Sequence, residues 1–414
     1  MKNIDIKKVI IILIVPIIIG IIGYFVLSSF FGENKTPSTD ELGIFLPFNE
    51  ESEGVNEEGD YLTTTTQSSS GIPSIDSIPI LRQITNTPMA GAIIFPPKAD
   101  EQESEQKSYI IRYIEKTTGH IYETTTNSLS QSRISNTTIP QIQESLWLDD
   151  ESLIIRYLDD NTIKTFSAKL VIDELGDQKL EGIFLQDDVR EIIKFGKKIF
   201  YLLDGGKGSI GVVADKDDEN RKIIFESLLK EWLLTNVDNK YINFTTKPAI
   251  NTSGFSFLFN TETDSFNKII GDKSNLSTLI DKSFNVLYSV YDKLGPKLYI
   301  YDNEEKINTE IYIQTFPEKC VWDEDGIYIY CGVPTEELSN YDLTKWYKGL
   351  TSFSDDIWRI NTKTNTIEFL ISPKESGVGD IDIINPILNE DGNYLLFTNK
   401  KDYSLWGLRL KKEL

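Results

Sequence analysis

The sequence predicts an all-β fold: a seven-bladed β-propeller of four-stranded antiparallel blades that follows an N-terminal transmembrane helix. Three observations lead to this prediction. An uninterrupted apolar run lies close to the start of the 414-residue chain. From residue 77 onward, short stretches of alternating apolar and polar residues are separated by turn-forming Asp, Asn, Gly and Lys. Within that part of the chain, one pattern of strand, turn and strand repeats.

The apolar run covers residues 9–31 and contains 23 residues without a charge. As an α-helix with a rise of about 1.5 Å per residue, it would span about 35 Å, more than the hydrocarbon core of a bilayer. Lys2, Lys7 and Lys8 precede the run and acidic residues follow it, so the positive-inside rule places the N-terminus in the cytoplasm. We expect residues 1–31 to form a cytoplasmic stub and an uncleaved signal anchor in the cell membrane. A cleaved signal peptide is the alternative.

Residues 32–76 are predicted to form an acidic, flexible linker. They contain ten acidic residues and one Lys, with the polar tract TTTTQSSS at residues 63–70. This composition buries too little apolar surface to offset the entropy of the chain. The remaining residues, 77–414, form the predicted propeller domain, which lies outside the cytoplasm on the predicted topology.

Composition and charge exclude several classes of function. The chain carries 64 acidic and 42 basic residues, a formal net charge of −22, which argues against nucleic acid as a partner. One His, two Cys and two Met are too few for a His-rich metal centre, a haem ligand set or a disulfide framework. The sequence therefore predicts neither a metal nor a cofactor.

The internal repeat defines the blades. It is clearest in residues 143–170, 318–334 and 384–410, where an apolar strand, an acidic turn and a second strand precede a third strand. Weaker copies have their first strands near residues 90–95, 190–195, 231–236 and 276–280. The six intervals between residues 90 and 384 average 49 residues, a length typical of four-stranded propeller blades. Seven first strands predict seven blades, with six or eight as alternatives.

The last repeat ends after its third strand, so another segment has to supply the fourth. Residues 78–84, with the sequence IPILRQI, precede the first blade and are apolar enough to pair there. This pairing would join the two ends of the ring and remove the exposed strand edges that favour aggregation.

Several pairs of predicted strands have the sequences WLDDESLIIRY, VWDEDGIYIY and NEDGNYLLFTN, and DIWRINTKTNTIEFL lies at residues 356–370. All of these segments resemble the repeats of TolB-like and WD40-like propellers. Those repeats combine an apolar strand, an Asp-Gly type turn, a second strand, and an Ile-Trp or Ile-Tyr strand that ends in a Thr-rich turn. Because regular Gly-His and Trp-Asp pairs are absent, the sequence is more similar to the TolB-like group. It is also similar to uncharacterised bacterial single-pass propeller proteins. The resemblance implies a propeller over residues 78–410 and no particular function.

Motifs that suggest catalysis have simpler explanations. Gly206, Gly208 and Gly211 match the G-x-G-x-x-G pattern of a dinucleotide loop, but a strand follows them instead of a helix, so we interpret them as a hairpin turn. His120 is the only histidine, lies at a predicted turn and is interpreted as a surface residue. Three carboxylate pairs are interpreted as turn residues, because Asp accepts hydrogen bonds from the backbone of turns. They are Asp149 with Asp150, Asp159 with Asp160, and Asp217 with Asp218. No catalytic residue is assigned.

Cys320 and Cys331 are predicted to form a disulfide. If Asp325 and Gly326 are the two residues of a tight hairpin turn, the two cysteines lie directly opposite each other. A location outside the membrane permits their oxidation. A two-residue turn makes them a hydrogen-bonded pair, whose side chains lie farther apart than those of the other pair type. Two buried thiols are therefore the alternative.

Five of the six tryptophans occupy repeat positions that predict burial in the core: Trp147, Trp232, Trp322, Trp358 and Trp406. Trp346 lies in an insertion of about twenty residues between the second and third strands of the sixth blade. With Tyr341, Tyr347 and Lys348, it is predicted to form an exposed binding surface, since function concentrates in loops on rigid scaffolds. The alternative is an insertion that folds back and caps its own blade.

The favoured function is that of a non-enzymatic propeller, held in the membrane by residues 9–31, that binds an envelope protein or a cell-surface polymer as a scaffold module. The alternative is an extracytoplasmic glycan hydrolase or lyase that uses carboxylates around the central channel. If the protein is an enzyme, we expect buried carboxylates with perturbed pKa values that converge in a deep pocket. If it is a binding module, we expect an exposed aromatic patch.

Overall fold

The computed structural model describes residues 78–97, 108–173, 176, 178–249, 252–292, 295–338 and 343–410. These residues form seven antiparallel sheets of four strands each, and no sheet has more or fewer. The predicted all-β fold with seven four-stranded blades is therefore confirmed.

The strands are numbered in chain order, and each blade is given from its innermost to its outermost strand. Strand β1 (Leu81–Thr85) comes first in the chain and belongs to the last blade. Blade 1 contains β2 (Met89–Phe95), β3 (Ile110–Glu115), β4 (Ile121–Thr125) and β5 (Ser132–Arg133). Blade 2 contains β6 (Ile142–Trp147), β7 (Ser152–Asp159), β8 (Thr162–Ile172) and β9 (Gln178–Phe184). Blade 3 contains β10 (Glu191–Phe195), β11 (Lys198–Asp204), β12 (Ser209–Ala214) and β13 (Lys222–Ser227).

Blade 4 contains β14 (Trp232–Asn236), β15 (Tyr241–Thr246), β16 (Ser253–Asn260) and β17 (Ser265–Ser274). Blade 5 contains β18 (Ser277–Ile280), β19 (Val286–Asp292), β20 (Gly295–Asp302) and β21 (Ile307–Ile311). Blade 6 contains β22 (Cys320–Trp322), β23 (Tyr328–Pro334), β24 (Asp355–Asn361) and β25 (Thr366–Ile371). Blade 7 contains β26 (Ile383–Leu388), β27 (Tyr394–Asn399), β28 (Leu405–Arg409) and finally β1. A 3₁₀ turn (Pro317–Lys319) precedes β22, and a short helix, α1 (Leu343–Tyr347), lies between β23 and β24.

Burial decreases from the middle of each blade toward its outer edge. All six residues of β27 are buried, as are four consecutive residues in β7 and in β11, because neighbouring blades cover both faces of these strands. The outermost strands β13 and β25 are mostly exposed or half-buried. Innermost strands of adjacent blades contact each other: β2 contacts β6, and β10 contacts β14. The core is therefore a ring of interfaces between blades, as propellers require.

The first and last strands of the ring pair with each other. β1 runs antiparallel to β28, with Leu81 opposite Leu408 and Gln83 opposite Trp406. The chain segment predicted to complete the last blade therefore does so, and it supplies the fourth strand of blade 7. Blade 7 thereby has four strands, like the other six.

Arg82 attaches this closing strand to both of its neighbouring blades. Its side chain is buried, and its Nε donates to the Tyr394 hydroxyl of blade 7 at 3.1 Å. On the other side, Nη2 donates to the carbonyl oxygen of Thr125 in blade 1 at 2.6 Å, and Nη1 donates to the carbonyl oxygen of Ser128. A single guanidinium thus connects the last blade to the first.

A disulfide joins Cys320 and Cys331, which lie opposite each other in β22 and β23 with their Cα atoms 4.1 Å apart. The expected register is correct, but the expected two-residue turn is wrong. The amide of Asp323 donates to the carbonyl of Tyr328 at 2.8 Å, so four residues form the turn. The Asp323 carboxylate stabilises this wider turn by accepting hydrogen bonds from the amides of Ile327 and Tyr328. The cysteines are therefore a non-hydrogen-bonded pair, the type in which side chains lie closer.

Three of the five tryptophans expected in the core are buried, namely Trp147, Trp232 and Trp406. Trp322 and Trp358 are half-buried. Trp358 packs edge-on against Phe369 of the outermost strand, with ring centroids 5.3 Å apart, so it lies closer to the rim of its blade than the repeat position indicates.

The predicted anchor and linker, residues 1–31 and 32–76, lie outside the described residues. Among the residues that the structure does describe, no helix has the length and apolar character needed to cross a bilayer.

Replacing Arg82 with Ala should destabilise the ring. The change removes three hydrogen bonds from a charged, buried donor, which costs about 2–4 kcal/mol in the free energy of unfolding. Urea denaturation measures this loss. Arg133→Ala, at an exposed position in β5, is the control and should change the free energy by less than about 0.5 kcal/mol. Equal effects of the two substitutions would contradict the role of Arg82.

Removing the disulfide should also lower stability. The two cysteines are 11 residues apart in sequence, and a loop of that size constrains the unfolded chain by about 3 kcal/mol. The Cys320→Ser, Cys331→Ser double variant should therefore unfold at lower denaturant concentration than the oxidised wild type. A reductant should lower the stability of the wild type and leave that of the double variant unchanged. If the reductant has no effect on the wild type, the disulfide makes no contribution.

Candidate functional site

One face of the ring carries the longest connection of the described chain. Because successive strands alternate in direction, the loops between second and third strands emerge on the same face as the connections between blades. We name this face the loop face. It carries the insertion of blade 6, described at residues 335–338 and 343–354, which contacts the residues directly before β22 and β26. The insertion therefore lies beside the innermost strands.

Trp346 is buried, with 3% of its surface exposed, so the expectation that it forms an exposed aromatic surface is wrong. It belongs to α1. After this helix, Gly349 adopts a left-handed conformation with a φ of 72°, as is common where helices end. The amide of Leu350 donates to the carbonyl of Lys345 at 2.8 Å and closes this end of the helix. The insertion folds back and caps the ring, as the alternative interpretation has it.

Lys319 explains why Trp346 turns inward. The lysine side chain has 0% exposure, and its Nζ lies 2.5 Å from Oδ2 of Asp355 and 2.5 Å from Oδ1 of Asp382, both also fully buried. The indole Nε1 of Trp346 donates to both oxygens of Asp382, at 3.1 and 3.0 Å. The amide of Phe353, at the other end of the insertion, donates to Asp382 Oδ2 at 3.0 Å. Asp382 therefore holds the insertion at two points.

Aromatic rings enclose this buried cation. The Nζ of Lys319 lies 5.3 to 5.5 Å from the ring centroids of Phe316, Trp346 and Phe353. Lys400 of blade 7 lies over the outer face of Trp346, 4.2 Å from its centroid, and donates to its carbonyl oxygen. A buried ammonium is stable only where carboxylates and ring faces replace its hydration. The insertion supplies two of the rings around the ammonium group, Trp346 and Phe353. This contact fixes the position of the insertion.

Of the other predicted binding residues, Tyr347 and Lys348 lie at the surface, and Tyr341 falls outside the described residues. The Tyr347 hydroxyl donates to Glu318 Oε1 at 2.5 Å. Burial raises the pKa of Glu318, although hydrogen bonds from Tyr347 and Ser277 act against the shift. Burial and the nearby Glu318 carboxylate raise the pKa of Tyr347 well above its ordinary value. These groups form a polar cluster where blades 5 and 6 meet.

Large apolar side chains are exposed elsewhere on the loop face. They lie in connections between blades or in loops between second and third strands, and they are Leu228, Leu229, Tyr312, Leu350 and Tyr403. Leu228 and Tyr312 are each 85% exposed, and Leu350 is 73% exposed. The sequence analysis did not identify these residues. They could have been recognised in the sequence as large apolar residues that lie outside the alternating pattern of the strands.

Charges of alternating sign lie near the innermost strands of blades 2, 3 and 4. Arg156 bonds to Glu144 at 2.7 Å, and Lys247 lies 3.1 Å from both Glu191 and Glu231. Burial raises the pKa of Glu191, although Lys247 acts in the opposite direction. Each of these three carboxylates lies beside a cation, but Lys247 is shared by two of them, so the five groups together carry one net negative charge.

The opposite face carries a cleft of about 450 Å³ between the outer parts of blades 2 and 3. Asp149 lies there and accepts hydrogen bonds from the amides of Glu151 and Ser152, at 3.0 and 2.7 Å, and from Lys216. Burial favours a higher pKa for Asp149, but these hydrogen bonds outweigh it and lower the pKa. The carboxylate therefore stabilises a turn, as predicted. Within the part of the chain that the structure describes, no group of three His, Cys, Asp or Glu side chains is arranged to hold a metal ion.

The glycine motif and His120 also occupy turns. Gly206, with φ of 77°, lies in the hairpin between β11 and β12, so no helix follows the glycines. His120 lies between β3 and β4, half-buried, with Nε2 3.2 Å from the hydroxyl of Thr138. Burial lowers the pKa of this histidine. Both turns connect the second and third strands of their blades and therefore lie on the loop face.

Trp346→Ala should release the insertion. The substitution leaves a large cavity and removes two hydrogen bonds to Asp382, changes that together cost about 3–5 kcal/mol. Trypsin should then cleave after Lys345 or Lys348 faster than in the wild type, which limited proteolysis followed by mass spectrometry measures. Tyr347→Phe is the matched control, because it keeps the ring and removes only the bond to Glu318. Cleavage of Trp346→Ala at the wild-type rate would show that the insertion has another anchor.

No protein-family model matches the sequence, and no curated protein matches it. The fold is similar to that of TolB from Acinetobacter baumannii, with 11% sequence identity and a TM-score of 0.40; the alignment covers 78% of this chain and 80% of TolB. It is also similar to a puromycin-hydrolyzing peptidase of Mycobacterium tuberculosis, with 8% identity and a TM-score of 0.45, over 74% of this chain and 50% of the peptidase.

The tricorn protease is a further similar structure, with 13% identity and a TM-score of 0.36; the alignment covers 70% of this chain and 27% of the protease. The chain thus spans about a quarter of the tricorn protease and half of the peptidase. At these identities the likeness concerns the fold alone. The solved structures similar to this propeller include TolB, as the resemblance of its repeats to TolB-like propellers predicts.

Proposed function

We propose that this chain is a membrane-anchored binding module that presents the loop face of its propeller to an envelope protein or a cell-surface polymer. The observation that carries the proposal is the set of exposed apolar side chains on that face. Leu228, Tyr312 and Leu350 are each at least 73% exposed. Apolar side chains that remain in water cost free energy unless a partner covers them, and tyrosine is enriched where partners bind.

The rigidity of the insertion supports this role. Leu350 and Tyr347 belong to the segment that Lys319 and Asp382 hold in place, and Lys400 ties the same segment to blade 7. A preformed surface loses little conformational entropy when a partner binds, which favours affinity. The proposed binding surface differs from the predicted one. Trp346 is buried beneath it and does not contact the partner.

The direction of β1 also fits the proposal. This strand enters the ring from the face opposite the loop face, since it lies beside β28 and runs antiparallel to it. The described part of the chain therefore begins on the side of the ring away from Leu350 and Tyr312, and β1 leaves the loop face uncovered.

A glycan hydrolase or lyase is the second candidate function. It is favoured by one observation: burial raises the pKa of Glu318, which bonds to the Tyr347 hydroxyl on the loop face. A raised pKa makes a carboxyl group better suited to hold a proton and donate it to a leaving group. Release of reducing ends from cell-wall glycans, lost in Glu318→Gln, would support the enzyme and contradict the binding module.

The binding role is tested by replacing exposed residues on each face. The full chain in detergent would be incubated with the envelope fraction of the producing cells, and the amount bound would be measured. Tyr312→Ser with Leu350→Ser should lower apparent affinity about thirtyfold, since each of the two removed contacts contributes about 1 kcal/mol. The matched control is Leu129→Ser with Ile172→Ser, which changes residues of comparable exposure, 59% and 72%, away from the loop face. Equal binding by both double variants would contradict the assignment of the face.

A further inference from the structure

A fully buried lysine between two fully buried aspartates has no part in the proposed binding function. Lys319, Asp355 and Asp382 each have side chains with 0% exposure. We propose that Lys319 and Asp355 are the substrates of an autocatalytic modification, in which Nζ of Lys319 condenses with the side-chain carboxyl of Asp355 to form an isopeptide bond, with Asp382 transferring the proton. This inference does not depend on what the loop face binds.

The reacting groups are already in contact. Nζ of Lys319 lies 2.5 Å from Oδ2 of Asp355, and three different parts of the ring hold them there: the 3₁₀ turn before β22, the first residue of β24, and the segment before β26. Such a fixed arrangement replaces a bimolecular encounter and lowers the barrier to reaction. The neighbourhood also keeps water out, since Phe316, Trp346 and Phe353 surround the amine.

The low polarity of the site favours the neutral forms that the reaction needs. An ammonium ion is not a nucleophile, and a carboxylate is a poor electrophile, but transfer of one proton from Lys319 to Asp355 makes both groups reactive. Burial raises the pKa of Asp355 to about 6, with the Asp382 carboxylate adding to the shift and Lys319 opposing it. Burial thus favours the protonated carboxyl group of Asp355, the form that the amine attacks.

The hydrogen bonds assign different roles to the two aspartates. Both oxygens of Asp382 accept hydrogen bonds from Trp346, and one also accepts from the amide of Phe353, so this carboxylate is held against Nζ of Lys319 as the proton acceptor. Asp355 accepts fewer hydrogen bonds than Asp382. Its Oδ2 accepts one from the amide of Ile383 at 2.6 Å, and its Oδ1 is buried with no hydrogen-bond partner among the described residues. The Ile383 amide holds Oδ2 beside Nζ of Lys319, as the oxygen that receives its proton and leaves.

The reaction balances without an oxidant or any other reagent. After the proton has moved from Nζ of Lys319 to the oxygen that it contacts, Oδ2 of Asp355, the Nζ lone pair attacks Cγ of Asp355, a C–N bond forms, and Oδ1 becomes the oxyanion. Asp382 removes one proton from the nitrogen. It then donates this proton to the Oδ2 hydroxyl as the bond between Cγ and Oδ2 breaks, so Oδ2 leaves as water and Oδ1 becomes the carbonyl oxygen of the amide. The product is one amide and one water molecule, and Asp382 is again a carboxylate.

The bond would complete a covalent brace at the insertion. Cys320, the residue after Lys319, already joins β22 to β23, and the amide would join the same segment to β24. Blade 6 would then be cross-linked across three of its strands, directly beneath the surface that Tyr347 and Leu350 present. A brace of this kind suits a protein exposed to proteases outside the cell.

Mass spectrometry of the full-length chain tests the proposal. After reduction of the disulfide, the wild type should be lighter than its sequence by the mass of one water. Digestion with trypsin should yield a branched peptide in which residues 307–345, uncleaved after Lys319, are linked to residues 349–359. The unmodified mass with cleavage after Lys319 would overturn the proposal. A link from Lys319 to residues 375–400, which contain Asp382, would overturn the assignment of Asp355.

Two variants separate the chemistry from folding. Asp382→Asn keeps the shape of the site and removes the base, so a chain that still folds by circular dichroism should have the full mass and no branched peptide. Lys348→Arg changes an exposed amine and should leave the cross-link intact. A branched peptide of wild-type yield in Asp382→Asn would contradict the role of that residue as proton carrier. The wild-type mass decides the main claim even if Asp382→Asn fails to fold.

Discussion

The structure depends on the pairing of β1 with β28. A propeller blade has apolar residues on both faces of its middle strands, as the fully buried β27 illustrates, so each blade is stable only between two neighbours. Pairing of the first strand with the third strand of the last blade turns an open row of blades into a ring. Arg82 then adds hydrogen bonds to blades 7 and 1 across the junction. Every other interface between blades is fixed once this junction is closed.

Closure also determines where function is available. With the strand edges paired, the ring offers its two faces, and the loop face carries the insertion of blade 6. That insertion rests on an ammonium group that the core cannot leave uncompensated: Lys319 requires Asp355 and Asp382, and Asp382 in turn binds Trp346. The same electrostatic need that buries Trp346 therefore exposes Leu350 and Tyr347 in fixed positions. The proposed binding surface and the proposed isopeptide bond are two consequences of one buried cation.

Much of the fold was predictable because it repeats. Seven copies of one strand pattern gave the seven blades, and the missing fourth strand of the last copy identified residues 78–84 as its replacement. The pairing of Cys320 with Cys331 was predictable because opposite positions in a hairpin depend only on the centre of its turn. The hydrogen-bond pattern was not, because it depends on turn length, which the Asp323 side chain sets. The site was least predictable: Lys319, Asp355 and Asp382 are far apart in sequence, so nothing near Trp346 indicated that it would be buried.

Amide hydrogen exchange at β1 tests the closed ring most directly. If β1 is the fourth strand of blade 7, the amide of Arg82 points toward β28, because Ile80 with Arg409, and therefore Arg82 with Gly407, are hydrogen-bonded pairs. This amide should exchange slowly, with protection comparable to that of Leu395 and Phe397 in β27, because all of them open only when the ring opens. Exchange of the Arg82 amide at the rate of an unstructured peptide, with β27 still protected, would show that the ring is open and contradict the account.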